Sequence, residues 1–402
     1  MRRQLADGSQ SEATMTTNEL QSLFLRPPRQ HASVLTVYLN VDQSSQPNLN
    51  RGFETQLSGI MLGVRKTISD SSELAQFDAA EQQIAEFVSH YHPRSSGLAM
   101  FVDTSDEFFW HRDIDFPVRN EARWDREFFA QPLANAMDQL ETYGVVLMDR
   151  ENLRLFLVSL GKIEECVHRA FEGRTRHIKT SGTDHIGSAS QIQRKADVQV
   201  RANLRRSIMF VEDFIQKYHV ARLVLAGRPE IIGELGELLP KRLVSRLIGT
   251  ASLSAGAPKQ EVLAATQPVA EAYERATEVG IVRELLTAAA KGNKAVIGLD
   301  RTLKALNSNR VWQFVYSYGY SAAGFACSQC AALSASDTAQ CPQCKGSVTA
   351  IADVVEPAVQ QALRRGAKME VVTGEAAVLL NEAGGGIGAL LKRRTGKGSG
   401  SI

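Results

Sequence analysis

Two pairs of cysteines constrain the fold of this chain more than any other feature. The pairs are Cys327 with Cys330 and Cys341 with Cys344, and ten residues lie between them. Two knuckles of this kind can place four thiolates at the corners of a tetrahedron, which is the geometry that a structural zinc ion prefers. Two disulfides or four unrelated thiols are the alternatives. Because four cysteines leave no open coordination position, the spacing predicts a structural metal and not a catalytic one.

The overall composition is that of an ordinary globular protein. The 402 residues are 44% hydrophobic and 22% charged, which leaves room for roughly two to four domains with their own cores. The chain has 46 basic and 44 acidic residues, for a net charge of +2. A balance so close to neutral does not indicate a nucleic-acid partner, so any such partner has to be inferred from local clusters of charge.

The fifth cysteine and the distribution of apolar residues indicate in which cellular compartment the protein is expected to work. Cys166 is the one cysteine outside the two pairs, a usage that suits a reducing, cytoplasmic setting. The sequence has no apolar run of about eighteen residues, so we expect no membrane-spanning helix. Residues 1–17 are polar and lack the apolar core of a signal peptide. We expect them to be a disordered extension, with Met15 as an alternative start.

Apolar residues alternate between strand-like and helix-like spacing along most of the chain. Val34 to Asn40 is a β-branched run typical of a buried strand, whereas Phe53 to Ile68 and Ala75 to His90 carry apolar residues at helical intervals. This alternation predicts an α/β fold with three mixed α/β domains. The predicted divisions are a disordered extension over 1–17, an N-terminal α/β domain over 18–135, a middle α/β domain over 140–268, a C-terminal α/β domain over 269–392 with the zinc ribbon at 325–348, and a flexible basic tail over 393–402.

The middle domain is predicted to open with a hairpin and to contain one long helix. Asp149 to Asn152 separates two apolar runs as a hairpin turn would, and a polar loop follows from Gly173 to Ser190. The long helix is predicted from Gln191 to about His219, followed by a helix over 229–247 and a short strand from Gln260 to Ala265. The buried side of the long helix is predicted from the three- and four-residue spacing of Leu204, Ile208, Val211 and Ile215.

Basic residues cluster around the start of this long helix. Between Arg169 and Arg206 the sequence has nine basic residues and three acidic ones. Arg194, Arg201 and Arg205 are seven and four residues apart, so they line one side of the helix. Such a stripe, next to a basic loop, is suited to contact with a phosphate backbone. A solvated helix face is the alternative interpretation.

Several stretches of the last 130 residues resemble a known family. They are Ala295 to Asp300, Val311 to Val315, the double CxxC ribbon, Met369 to Thr373, and Gly384 to Leu390. Together they resemble the C-terminal domain of archaeo-eukaryotic class-I release factors and of Pelota, the ribosome-rescue relative, and the chain is most similar to the bacterial branch of that family. The resemblance implies three domains in a tRNA-like arrangement.

The catalytic loop of the family is altered in this sequence. Release factors carry Gly-Gly-Gln before the long helix, and the corresponding residues here run from Gly187 through Ser188, Ala189 and Ser190 to Gln191. Side chains in place of the glycine pair close much of the positive-φ space that the family's loop uses. The stop-codon motifs of the family, Asn-Ile-Lys-Ser and Tyr-x-Cys-x-x-x-Phe, are also missing. The resemblance therefore implies a factor without codon-specific termination or peptide-release chemistry.

The function implied is that of a non-catalytic factor that occupies the ribosomal A site in hibernation or stalled-ribosome rescue. The implied partners are the rRNA of both subunits and elongation factor Tu or another translational GTPase, with no membrane. Two alternatives remain: a peptidyl-tRNA hydrolase or release factor that uses Gln191, and a cytosolic zinc protein that has left the ribosome. The residues predicted to contact rRNA are Arg174, Arg176, Lys179, His185, Gln191, Arg194, Lys195, Arg201 and Arg205.

Overall fold

The structure is a computed structural model of the chain. It describes residues 23, 26, 29, 31–114, 116, 118–129, 131–139, 142–159, 161–171, 186–292 and 294–392. The chain divides into two compact units, one formed by Met1–Gln139 with Glu278–Ile402 and the other by Leu140–Thr277. Several sheets with helices packed on them confirm the predicted mixed α/β class. No helix within the described residues is both long and apolar enough to cross a membrane.

The first sheet of the first unit is antiparallel throughout. Its strands are β1 (Val34–Asn40), β2 (Gly97–Asp103), β3 (Phe108–Ile114) and β4 (Glu121–Asp125), in the order β3-β2-β1-β4. The helices of this region are α1 (Gly52–Arg65), α2 (Ser71–His90) and α3 (Gln131–Gln139), with a short 3-10 helix at Gln46–Arg51.

Strand β1 has apolar residues on both faces because both faces of the sheet are covered. Leu35 and Val37 pack with the buried side of α1 and α2, including Phe53 and Phe77. On the opposite face, Tyr38 donates its hydroxyl hydrogen to the carbonyl oxygen of Phe129 at 2.8 Å. A continuous apolar run is what a strand buried on two faces requires.

The second unit contains a five-stranded mixed sheet in the order β7-β6-β5-β8-β9. Strands β5, β6 and β7 are antiparallel neighbours, whereas β8 and β9 run parallel to β5. The elements are β5 (Tyr143–Met148), β6 (Asn152–Ser159), β7 (Lys162–Ala170), α4 (Ile186–Tyr218), β8 (Arg222–Gly227), α5 (Pro229–Leu238), α6 (Lys241–Val244), β9 (Leu247–Ser252) and α7 (Lys259–Ala290), the last of which continues into the first unit.

The predicted hairpin at Asp149 is confirmed. The carboxylate of Asp149 accepts hydrogen bonds from the backbone N–H groups of Glu151 (2.7 Å) and Asn152 (2.6 Å). An aspartate that binds the backbone two and three residues ahead closes a tight turn. The turn sets the register in which Met148 faces Leu153 across β5 and β6.

Three predicted elements of this unit differ from the structure. Helix α4 begins at Ile186, so residues 186–190 are helical and do not belong to the predicted loop. The predicted strand from Gln260 to Ala265 is wrong, because it lies within α7, where Thr266 donates to the carbonyl oxygen of Val262 at 2.8 Å. The predicted single helix over 229–247 is two helices, α5 and α6, and its last residue, Leu247, begins β9. Short apolar runs fit either structure, and packing decides between them.

The remaining elements of the first unit form a four-stranded mixed sheet and a three-stranded ribbon. The sheet order is β10-β16-β11-β15, and the ribbon order is β13-β12-β14. The elements are β10 (Ala295–Ile297), α8 (Leu299–Asn307), β11 (Val311–Ser317), β12 (Gly324–Cys327), β13 (Leu333–Ser334), β14 (Val348–Ile351), α9 (Val355–Arg364), β15 (Lys368–Val372), α10 (Gly374–Gly384) and β16 (Ile387–Leu391).

Within the first unit, helix α9 binds the end of the first sheet. Arg123 on β4 forms an ion pair with Glu356 in the first turn of α9, and its guanidinium also lies 3.6 Å from the ring centre of Phe129. One turn further along α9, the side-chain amide of Gln360 donates to the carbonyl oxygen of Phe128. These contacts make the first sheet and the C-terminal elements a single compact unit.

We expect the ion pair between Arg123 and Glu356 to contribute to stability in a pH-dependent way. Burial raises the pKa of Glu356 above its ordinary value of 4.5, and the positive charge of Arg123 opposes that shift. In an Arg123→Ala variant the pKa of Glu356 rises further, so the folded protein holds the proton more tightly than the unfolded chain. The free energy of unfolding should then fall by about 1–3 kcal/mol at pH 7 and by less near pH 4.5.

Urea denaturation at several pH values measures this difference. Arg65→Ala is the matched control, because Arg65 pairs with Asp78 and Glu81 at the surface and such pairs contribute about 0–1 kcal/mol. The double variant Arg123→Ala/Glu356→Gln should recover part of the loss, since no unpaired buried charge remains. A loss in Arg123→Ala that is equal at both pH values would contradict the role assigned to Glu356.

Candidate metal centre and nucleic-acid interface

The four cysteines of the ribbon come together in space. Their Sγ atoms all lie within 4.8 Å of one another, and they are the one group of this kind that the described part of the chain contains. The Sγ atoms of Cys327 and Cys344 are 3.4 Å apart, and those of Cys330 and Cys341 are 3.5 Å apart. These separations exceed the ~2.05 Å of a disulfide bond. None of the four cysteines is disulfide-bonded.

The backbone folds each pair into a knuckle of the same kind. The N–H group of Ala331 donates to the carbonyl oxygen of Cys327, and that of Lys345 donates to Cys341 in the same way. Ala331 and Lys345 have positive φ angles of 55° and 63°. Each knuckle therefore holds a non-glycine residue in the left-handed region, a conformation that persists where surrounding contacts require it.

Gly346 lies where the two knuckles meet. A Cβ atom at this position would lie 2.8 Å from the side chain of Gln329 in the first knuckle. The N–H group of Gly346 points to the Sγ atom of Cys344 at 3.4 Å. Gly346 therefore contacts both knuckles, one through its N–H group and the other through the side chain of Gln329.

Local hydrogen bonds change the acidity of the thiols. The backbone N–H groups of Cys330 and Gln329 lower the pKa of Cys327 to about 6, and those of Cys344 and Gln343 lower the pKa of Cys341. Burial raises the pKa of Cys330 to about 12. Four thiols crowded together cannot all ionise to thiolates without a compensating positive charge, and a bound divalent cation would supply that charge.

The cluster fits a tetrahedral ion in size and in donor type. Metal–sulfur bonds of ~2.3 Å place tetrahedral sulfur atoms ~3.8 Å apart, and the two closest-described pairs here, at 3.4 and 3.5 Å, lie near that value. Thiolate donors favour zinc over magnesium or calcium. Cys327, Cys330, Cys341 and Cys344 can therefore hold a metal ion as the sequence predicts, and the ion would link the two knuckles without an open position for a substrate.

The ribbon is tied to the core of its unit. Asn307, at the end of α8, donates its side-chain amide to the carbonyl oxygen of Leu333 at 2.7 Å and accepts the N–H group of Leu333 at 3.1 Å. The side chain of Leu333 is 4% exposed and packs with Leu306. The structure adds this anchor to the predicted ribbon, and sequence reasoning missed it because Asn307 is remote from the cysteines in the chain.

Helix α4 has one buried side and one exposed side. Leu204 and Val211 are buried against the five-stranded sheet, with Ile215 8% exposed and Ile208 partly buried. The predicted buried side is thus confirmed. Asn203 extends it, because its side-chain amide donates to the carbonyl oxygen of Arg150 at 3.0 Å and binds the helix to the hairpin.

The arginines of the helix lie on the exposed side. Arg201 and Arg205 are both exposed, and within the residues that the structure describes neither forms an ion pair. Val198 and Met209 flank them and are 71% and 67% exposed. These four residues, which we call the exposed α4 face, lie on one side because they are three or four residues apart. From the sequence, Val198 and Met209 were not assigned to this exposed side, because only charged residues were counted.

The other predicted rRNA contacts are only partly described. Arg174, Arg176, Lys179 and His185 lie outside the described residues. Gln191, Arg194 and Lys195 belong to α4 by their backbone. Gln191 is the sixth residue of the helix, so its N–H group is past the first four that lack a partner within the helix.

We expect the ribbon to hold one zinc ion that stabilises it. Purified protein should contain about one zinc per chain, and Cys327→Ser/Cys341→Ser should lose it, because two thiolates cannot complete a structural site. Limited proteolysis should then cut within residues 324–351. Cys166→Ser is the matched control, since Cys166 lies outside the cluster, and it should keep both the zinc and the protease resistance. Elemental analysis that finds no zinc in the reduced wild-type protein would contradict the site.

The middle of the chain matches a known family. Residues 129–271 match the model of bacterial archaeo-eukaryotic release factor family 10. This segment contains the hairpin, the five-stranded sheet and helix α4. The match covers about a third of the chain and supports the family resemblance for that part. No curated protein matches the sequence.

Three solved structures are similar to the chain at low identity. The archaeal translation termination factor aRF1 is 15% identical over 94% of this chain and 98% of that chain, with a TM-score of 0.25. Pelota of Archaeoglobus fulgidus is 12% identical over 75% and 81%, with a TM-score of 0.33. Dom34 of S. cerevisiae, a translation termination-like factor that interacts with Hbs1, is 12% identical over 74% and 78%, with a TM-score of 0.40.

Proposed function

We propose that this protein is a non-catalytic ribosome-binding factor that occupies the A site during ribosome hibernation or stalled-ribosome rescue. The observation that carries the proposal is the exposed α4 face. Arg201 and Arg205 lie in the segment that matches bacterial archaeo-eukaryotic release factor family 10, and both are exposed and form no ion pair with any residue that the structure describes. Unpaired arginines on one side of a helix suit the phosphate backbone of rRNA.

The backbone around Gln191 supports a role without peptide-release chemistry. Helix α4 includes Gly187 and Gln191, and a main-chain amide engaged within a helix is not available to position an attacking water. Ala189 and Ser190 precede Gln191 where release factors have the glycine pair. The arrangement therefore favours an A-site occupant over a peptidyl-tRNA hydrolase.

The resemblance to the family extends the proposal to the other regions. The N-terminal domain would face the decoding centre, and the C-terminal domain would face a ribosomal protein or a translational GTPase such as elongation factor Tu. Zinc in the ribbon would keep the C-terminal surface folded, and the domains would adopt a tRNA-like arrangement. Within the bacterial branch the chain resembles the ribosome-hibernation factor Balon, which makes hibernation one of the two proposed roles.

Charge reversal on α4 tests the proposed contact with rRNA. Arg201→Glu/Arg205→Glu should weaken co-sedimentation with ribosomes by tenfold or more. The slope of log affinity against log salt should become shallower by about one per arginine, because phosphate contacts release counterions. Arg228→Glu/Lys241→Glu is the matched control, since both residues are exposed in the same unit but lie outside α4. Equal losses in the two variants would remove the support for the exposed α4 face as the contact.

A release assay separates the proposal from the enzymatic alternative. Ribosomes carrying labelled peptidyl-tRNA should show no release above background with the wild-type protein, because the glycine pair that positions the water is missing. Gln191→Ala should behave in the same way as the wild type. Turnover by the wild type that disappears in Gln191→Ala would establish a hydrolase and overturn the proposed role.

A further inference from the structure

Four basic residues lie on adjacent strands toward one end of the C-terminal sheet. Each is at or next to the terminus of a different strand: Lys294 precedes β10, Lys392 follows β16, Arg310 precedes β11, and Lys368 begins β15. The sheet order β10-β16-β11-β15 places these strands next to one another. We call these four residues the basic row. Adjacent strands are ~4.8 Å apart, so the row spans ~14 Å across the sheet.

Backbone hydrogen bonds hold the row in register. The N–H group of Leu391 donates to the carbonyl oxygen of Lys294, and that of Lys392 donates to Arg310, both at 2.8 Å. Lys368 is level with Gln313 across the parallel strands, so it lies three residues, or ~10 Å, further along the sheet than Arg310. Strand pairing therefore fixes the backbone positions of the four residues, with Lys294, Lys392 and Arg310 at the very end of the sheet and Lys368 set back from it.

The charges of the row are available to a ligand. All four residues are exposed, and within the described part of the chain none of them forms an ion pair. Lys392 donates to the neutral side chain of Asn309 at 2.9 Å. The nearby carboxylate of Glu370 is buried and accepts a hydrogen bond from Gln313, so it does not lie at the surface to neutralise the row.

An exposed tryptophan accompanies the row. Trp312 is 46% exposed, and the Nζ atom of Lys368 lies 5.6 Å from the centre of its ring. The other tryptophans of the chain pack against aromatic rings, Trp110 on Phe101 and Trp124 on Phe77. A large aromatic ring left at the surface among cations offers a stacking platform for a base, next to charges that bind phosphates.

We propose that the basic row together with Trp312 binds single-stranded RNA, with phosphates on the four cations and an unpaired base stacked on the indole ring. Phosphate contacts alone would suit any polyanion. The exposed ring favours RNA over an acidic protein segment, because a base offers a π-face and a carboxylate does not. This surface lies in the other unit from the exposed α4 face, so the proposal does not depend on contact through α4.

Binding of a fluorescein-labelled sixteen-nucleotide oligouridylate to the full chain tests the row. We expect at least about tenfold weaker binding by the variant Lys294→Gln/Arg310→Gln/Lys368→Gln/Lys392→Gln. Its slope of log affinity against log salt should become shallower by about 0.7 per lost contact. The matched control removes four exposed charges elsewhere in the same unit: Lys66→Gln/Arg94→Gln/Arg119→Gln/Arg301→Gln. Equal losses in the two variants overturn the proposal.

Tryptophan fluorescence tests the stacking contact separately. RNA should quench the emission of the wild-type protein, and Trp312→Phe, which keeps an aromatic ring in place, should lose most of this quenching. Trp312→Ala should bind about tenfold more weakly with an unchanged salt slope, because the ring carries no charge. Quenching that persists in Trp312→Phe overturns the assignment.

Two further measurements distinguish RNA from an acidic protein as the ligand, and the basic row from the α4 contact. Polyglutamate that competes with the oligonucleotide at equal charge would identify an acidic protein as the partner and overturn the RNA assignment. Arg201→Glu/Arg205→Glu should keep the RNA-dependent quenching of Trp312. Loss of ribosome binding in that variant, with quenching retained, separates the α4 contact from the basic row, so each can fail alone.

Discussion

The packing of α4 on the five-stranded sheet decides which charges of the second unit face solvent. Leu204, Val211 and Phe214 are each at most 2% exposed, and burial of such side chains contributes about 1.5–3 kcal/mol each. An exposed ion pair contributes about 0–1 kcal/mol. The rotation of the helix about its axis is therefore set by its apolar side, and Arg201 and Arg205 face water as a consequence.

The ribbon depends on a different constraint, because it is too small to have a core of its own. Its strands have two to four residues, and elements of that size bury little apolar surface. A structural metal can supply folding energy that such a module lacks. Leu333 and Asn307 then connect the ribbon to its unit, so the knuckle at Ala331 lies two residues from the point of attachment.

Local patterns predicted much of the fold and the cluster of four cysteines. Strand Val34–Asn40 and the buried positions of α4 followed from spacing, since apolar burial repeats with the period of each element. Strands β4, β7 and β16 did not, because Glu121–Asp125 and Lys162–Ala170 are partly polar and Ile387–Leu391 follows glycines. The start of α4 was also missed, because Gly187 and three small residues after it give a weak helical signal.

The sequence by itself determined the cluster of four cysteines and the two sides of α4, since both depend on residues a few positions apart. Only the tertiary structure decided the basic row, because Lys294, Arg310, Lys368 and Lys392 are spread over nearly a hundred residues of sequence. Strand pairing brings their termini to one end of the sheet. Pairing of distant strands depends on long-range packing, and the sequence near each residue carries no sign of it.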